Sequence, residues 1–159
     1  MTRVGIWERR EGIFDTVHAA LRSRSEFAEL LRGNHPADFT DGKLDLLCIS
    51  PSATGWAGAN AVDCRMLLIP GDAGPLARGL CCSCAVSYGT SPKDTLTFSS
   101  LEGSQICVAL QRELVTLGGE IVEQQELVLP FTPEKSPLPY LAAVGILLLL
   151  GVPTEEFGR

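Results

Sequence analysis

Three short runs, Leu44–Ile49 (LDLLCI), Cys64–Ile69 (CRMLLI) and Cys81–Tyr88 (CCSCAVSY), are almost continuously apolar. A strand with one wet face alternates apolar and polar residues, whereas a strand covered on both faces does not. These runs therefore predict a sheet buried between two layers. Between them lie a loop of small residues, Ser50–Asn60 (SPSATGWAGAN), then Pro70–Pro75 (PGDAGP), then a short helical stretch, Pro75–Leu80. Parallel neighbours need a crossover connection, so strand–helix–strand alternation predicts a parallel sheet.

The chain opens on a further apolar strand, Arg3–Trp7, and a polar turn, Glu8–Gly12. Apolar residues at Ile13, Phe14, Val17, Ala20, Leu21, Phe27, Leu30 and Leu31 keep helical spacing. That spacing predicts a helix, restarted by a capping box at Ser23 and Glu26 and ended by Gly33-Asn34-His35-Pro36. From Asp94 the period changes to two, through Leu96, Phe98, Ile106, Val108 and Leu110. Gly118-Gly119 marks a hairpin before Glu120–Leu129, which predicts an antiparallel meander. The Pro-rich stretch Pro130–Pro139 leads into a final helix, Leu138–Gly151, with one more turn starting at Pro153-Thr154-Glu155-Glu156. The expected fold is α/β: a three-layer-like, mostly parallel sheet with an appended antiparallel meander and a buried C-terminal helix. It forms a single domain over residues 1–159.

Composition narrows the function. Hydrophobic residues make up 45% and charged residues 20%, a globular balance. A net charge of −6 opposes capture of nucleic acid or of an anionic membrane. The short basic cluster of Arg3, Arg9, Arg10, Arg22 and Arg24 reads as a solvated rim. The apolar run Tyr140–Val152 falls short of the ~20 residues that span a bilayer, so a buried helix is expected. The first residues, MTRVGIWERREG, lack the apolar core of a secretory leader, and a cytoplasmic location is expected. The cysteines lie in or beside the strand runs and read as reduced core residues. Cys81 and Cys84 are three apart on a strand and so face opposite ways, and neither a metal nor another cofactor is expected.

Ligands of open α/β sheets sit beyond the carboxyl ends of the strands. Ser50, Ser52, Thr54 and Gly55 offer hydroxyls and backbone N–H groups able to cradle a small anion. Asp72 follows the next strand, and Tyr88 and Lys93 flank the one after. These are the candidate ligand-binding residues. Conventional catalysis lacks its parts: His18 and His35 are the only imidazoles, neither near a nucleophile elbow. Glu8/Glu11 and Glu123/Glu126 read as solvated surface pairs.

From Met66 to Glu156 the order of signals resembles the latter part of the Mur ligase middle domain, which binds ATP. The similar features are LLIPGDAGPL, AVSYGTS, DTLTFSSL and LPYLAAVGILLLLGVPTEE. The departures are as informative. The family's phosphate loop ends in Gly-Lys-Thr/Ser after the first strand, whereas this chain reads RVGIWERREGIF there. The family's His-Asn…Asn signature is replaced by Ser136-Pro137-Leu138-Pro139-Tyr140. The resemblance implies a relative that keeps the fold and has lost ATP-dependent ligation. The expected function is non-catalytic binding of a small ligand or a protein partner at the carboxyl edge. The alternatives are a small enzyme using the Ser50–Asn60 and Asp72 loops, and an interaction protein docking through its last helix. The oligomeric state stays open.

Overall fold

The computed structural model describes residues 1–22, 28–53, 62–73 and 80–157, with the side chain of Cys81 left aside. Its centre is an eight-stranded sheet, in chain-order numbering β10-β7-β6-β5-β4-β3-β1-β2. β1 (Thr2–Trp7), β2 (Ala28–Gly33), β3 (Leu44–Ile49), β4 (Asp63–Pro70) and β5 (Cys81–Tyr88) are mutually parallel. β6 (Leu96–Glu102), β7 (Gln105–Leu110) and β10 (Gln125–Pro130) form the antiparallel meander. A small hairpin, β8 (Leu114–Val115) with β9 (Ile121–Val122), turns at Gly118-Gly119.

The central strands β1, β3 and β4 are covered on both faces, as their apolar runs require. On one side Val4, Ile6, Leu46, Leu68 and Val86 pack against two helices, α1 (Ile13–Ala20) and α2 (Pro137–Leu149). On the other, Trp7, Leu47, Leu67 and Ile69 form a second cluster with Phe39 of the short turn Pro36–Phe39. The Trp7 and Phe39 rings lie 6.3 Å apart. α2 is buried at every residue from Leu141 to Leu149, because α1 and the sheet enclose it. It stops at Gly151 in the left-handed region, where Gly151 N–H and Val152 N–H donate to the carbonyls of Leu148 and Leu147. Among the described residues no helix is long and apolar enough to cross a membrane.

Two expectations are corrected. The helical spacing that runs on to Leu30 and Leu31 breaks after α1, and Ala28–Gly33 is the edge strand β2. Ala28 and Leu30 pack on the helix-side core while Leu31 packs on the opposite cluster, a period of two. Pairing with the backbone of β1 settles the choice. The expected capping box at Ser23 and Glu26, like the helical stretch Pro75–Leu80 as far as residue 79, lies outside the described residues. The second correction concerns the cysteines. Cys48 and Cys64 are buried, but Cys82 and Cys107 are half-buried and Cys84 is exposed. β6 meets β5 only at Tyr88↔Leu96, so the amino half of β5 has no β6 neighbour to shield it.

Candidate functional site

From β1 the chain steps outward to β2 and then returns to the other side of β1 as β3. This reversal opens a crevice beyond the carboxyl ends of β1 and β3, the ordinary ligand position in such sheets. Here the crevice is laced by internal hydrogen bonds. Glu8, expected at the surface, is only 4% exposed. Its carboxylate accepts from the backbone N–H groups of Gly12 (3.1 Å) and Phe14 (2.7 Å) at the start of α1. Those donors have no partner inside the helix, and the helix dipole favours a negative charge there. The burial of Glu8 follows. Glu11 accepts the hydroxyl of Ser52 at 2.6 Å and so ties the turn after β1 to the loop after β3.

Next to this crevice a cavity of about 420 Å³ opens at the ends of β4 and β5. It brings together three of the candidate residues, Asp72, Tyr88 and Lys93, with Pro51, Asp94 and the α2 residue Leu138. Asp72 is exposed on the turn Gly71–Ala73. Tyr88 is fully buried and donates its hydroxyl to the carbonyl of Ile49 at 2.6 Å, so it offers the cavity a ring and no free donor. The loop that presents Lys93 is rigidly held. Asp94, buried, accepts from the N–H of Ser91, and the side-chain amide of Gln111 donates to the carbonyls of Ser91 and Asp94. Gly71 permits this packing, since a Cβ there would fall 1.9 Å from Asp94 Oδ1.

The other candidates lie elsewhere. Ser50 is buried; its N–H donates to the Trp7 carbonyl and its hydroxyl has no partner among the described residues. Ser52 is exposed and engaged with Glu11. Thr54 and Gly55 lie outside the described residues. Among the described residues no group of three or more His, Cys, Asp or Glu side chains is placed to hold a metal ion. The sequence reading missed Glu8, Asp94 and Gln111. A carboxylate between a strand end and a glycine that starts a helix was the available signal for Glu8. Gln111 carries none, because its role rests on a tertiary contact.

Burial, reinforced by the negative charges of Glu8 and Glu11, pushes the Cys48 thiol well above its ordinary value near 9. Burial first, then the neighbouring Cys48, Glu11 and Asp72, raises the Tyr88 phenol in the same sense. Both groups stay neutral in the folded chain at pH values where the unfolded chain ionises. Their contribution is therefore complete below about pH 9 and lost as pH rises beyond it, by about 1.4 kcal/mol per pH unit for each group. Urea denaturation between neutral and alkaline pH will show this decline, and Cys48→Ala is expected to make it shallower.

The sequence matches no protein-family model, and no curated protein is significantly similar to it. Solved structures are similar. UDP-N-acetylmuramoylalanyl-D-glutamyl-2,6-diaminopimelate–D-alanyl-D-alanyl ligase from Acinetobacter baumannii superposes with a TM-score of 0.63 at 12% identity, over 99% of this chain. Two crystal structures of MurF from the same organism give 0.61 and 0.58 at 10% and 12% identity. The fold is Mur-ligase-like. The Mur-ligase-like likeness legible in residues 66–156 extends in three dimensions over nearly the whole chain, first strand included. This chain spans only 44% of the length of each of those ligase chains.

Proposed function

We propose that this Mur-ligase-like domain is a non-catalytic binding module that takes up a small ligand or a protein partner at the carboxyl edge of its parallel strands. The observation that carries the reading is the cavity at the ends of β4 and β5. There a carboxylate, Asp72, and an ammonium, Lys93, flank an apolar floor on a loop already held by Asp94 and Gln111. Such preorganisation favours binding, since little order remains to be imposed. Opposed charges suit a ligand that itself carries both signs.

The non-catalytic part of the reading is supported by Glu8. The similar structures are ligases by name, and the resemblance implies phosphate chemistry at the turn after the first strand. In this chain a phosphate at the start of α1 would meet the Glu8 carboxylate, which already holds the N–H groups of Gly12 and Phe14. Lys93 and Asp72 also face no imidazole, since neither histidine lines their cavity. A small enzyme built on the Ser50–Asn60 and Asp72 loops is the competing reading. Docking through α2 finds no support, because its apolar residues from Leu141 to Leu149 are buried within the chain itself.

Thermal-shift titration against nucleotides and peptidoglycan-precursor fragments tests the proposal. At least one compound is expected to raise Tm saturably, with the shift lost in Lys93→Gln and Asp72→Asn, while ATP turnover stays at background. A uniform null across the panel, or turnover above background, would overturn it.

A further inference from the structure

A second and larger cavity, about 900 Å³, lies on the other side of β1, between the turns that follow β1 and β2. Each lining carboxylate is engaged within the fold: Glu8 with the start of α1, and Asp15 with Arg32 at 2.9 Å. Asp38 accepts from the backbone N–H groups of Asn34 and His35 at 3.0 and 3.2 Å. The donors are not matched. The guanidinium groups of Arg9 and Arg10 are exposed and have no acceptor among the described residues. His35 Nδ1 accepts from Ala37 N–H at 3.1 Å, so neutral His35 carries its proton on Nε2 and offers one more donor.

We propose that this cavity binds an acidic small molecule bearing at least two carboxylate or phosphate groups, held by Arg9, Arg10 and His35. The site goes beyond the cavity of Asp72 and Lys93 and shares no lining residue with it. Planar guanidinium forks match carboxylate and phosphate oxygens in pairs. The volume is at the upper end of the ~300–1,000 Å³ of small-molecule sites, which favours a molecule over a lone inorganic ion. The backbone that carries the two arginines is also preset. Glu8 anchors Gly12 and Phe14, Glu11 accepts the N–H of Arg9 at 3.3 Å, and Arg10 sits between them with φ of 52°. The left-handed region is unfavourable for a residue other than glycine, and the clamped turn imposes it on Arg10. Because Glu8 closes the start of α1, the ligand is met by side chains and not by the helix end. A net charge of −6 repels anions at long range, so recognition must rest on these close contacts.

Calorimetric titration of the full chain with citrate and with inorganic pyrophosphate, at about 0.1 M salt, tests the site. Saturable binding of one or both at a single site is expected, citrate alone indicating carboxylates and pyrophosphate alone phosphates. The double variant Arg9→Gln/Arg10→Gln should weaken it by about 100-fold, roughly tenfold per charge-assisted contact. Both side chains are exposed, so an unchanged Tm will certify the fold of the variant. Lys93→Gln should bind as the parent does, which separates this site from the other cavity. Failure of both anions to bind, undiminished binding by the double variant, or equal weakening by Lys93→Gln would overturn the proposal.

Discussion

Glu8→Ala is expected to destabilise the fold by about 2–4 kcal/mol, far more than an ordinary surface carboxylate would. The substitution removes a buried acceptor from the N–H groups of Gly12 and Phe14 and leaves both without a partner at the start of α1. No residue at the helix start can take over, because Gly12, at the cap position, brings no side chain. Glu8→Gln keeps one acceptor oxygen and loses the charge that the helix dipole favours, so its cost should be smaller, about 1–2 kcal/mol. Urea denaturation of both variants checks the ranking. Equal stability of the parent and Glu8→Ala would show that the carboxylate merely rests against the helix.

Gly145→Val is expected to cost about 3 kcal/mol or to prevent folding, against a small cost for Gly145→Ala. Gly145 lies within α2, where glycine loses up to about 1 kcal/mol to alanine on helix propensity alone. Its place is explained by proximity to the sheet: a Cβ there would fall 2.8 Å from Leu68 Cδ2 and 3.2 Å from Leu68 Cδ1. Leu68 is fully buried, so its methyl groups have little room to retreat. Alanine recovers propensity while crowding Leu68, and the two effects partly offset. Valine adds two methyl groups and a stiff χ1 to the same contact, and overpacking then dominates. The Tm values of the two variants measure the difference directly.

Legibility followed how locally each feature is determined. β3 falls where its apolar run predicts, because burial on both faces writes itself into nearly every residue of the strand; β5 falls where predicted as well, although Ser83, Cys84 and Ala85 are exposed. The end of α2 was legible in Gly151, since its cap needs a left-handed backbone that glycine adopts without cost. β2 was not legible. Its apolar residues satisfy helical spacing and strand alternation alike, and only the parallel register with β1, from Thr2↔Ala28 to Trp7↔Gly33, decides between them. The exposure of Cys84 was hidden for a related reason: the sequence of β5 does not state that β6 departs after one paired position.

The candidate site divides the same way. Asp72, Tyr88 and Lys93 could be named from the sequence because each lies at or just beyond the end of a recognisable strand, and parallel strands deliver their ends to one edge. What the residues do there depended on contacts distant in sequence. The Tyr88 hydroxyl is engaged by Ile49, 39 residues away, and Ser52 by Glu11, 41 residues away. By itself, then, the sequence determined a buried parallel sheet with an appended meander, a wholly apolar last helix, and an edge where loops of small residues collect. Periodicity, turn chemistry and composition are properties of neighbouring residues. Only the tertiary structure decided that Glu8 turns inward to cap α1, and that Arg9 and Arg10 stand beside it without acceptors among the described residues. Those outcomes depend on which backbone donors and which carboxylates the folded chain brings within hydrogen-bonding distance.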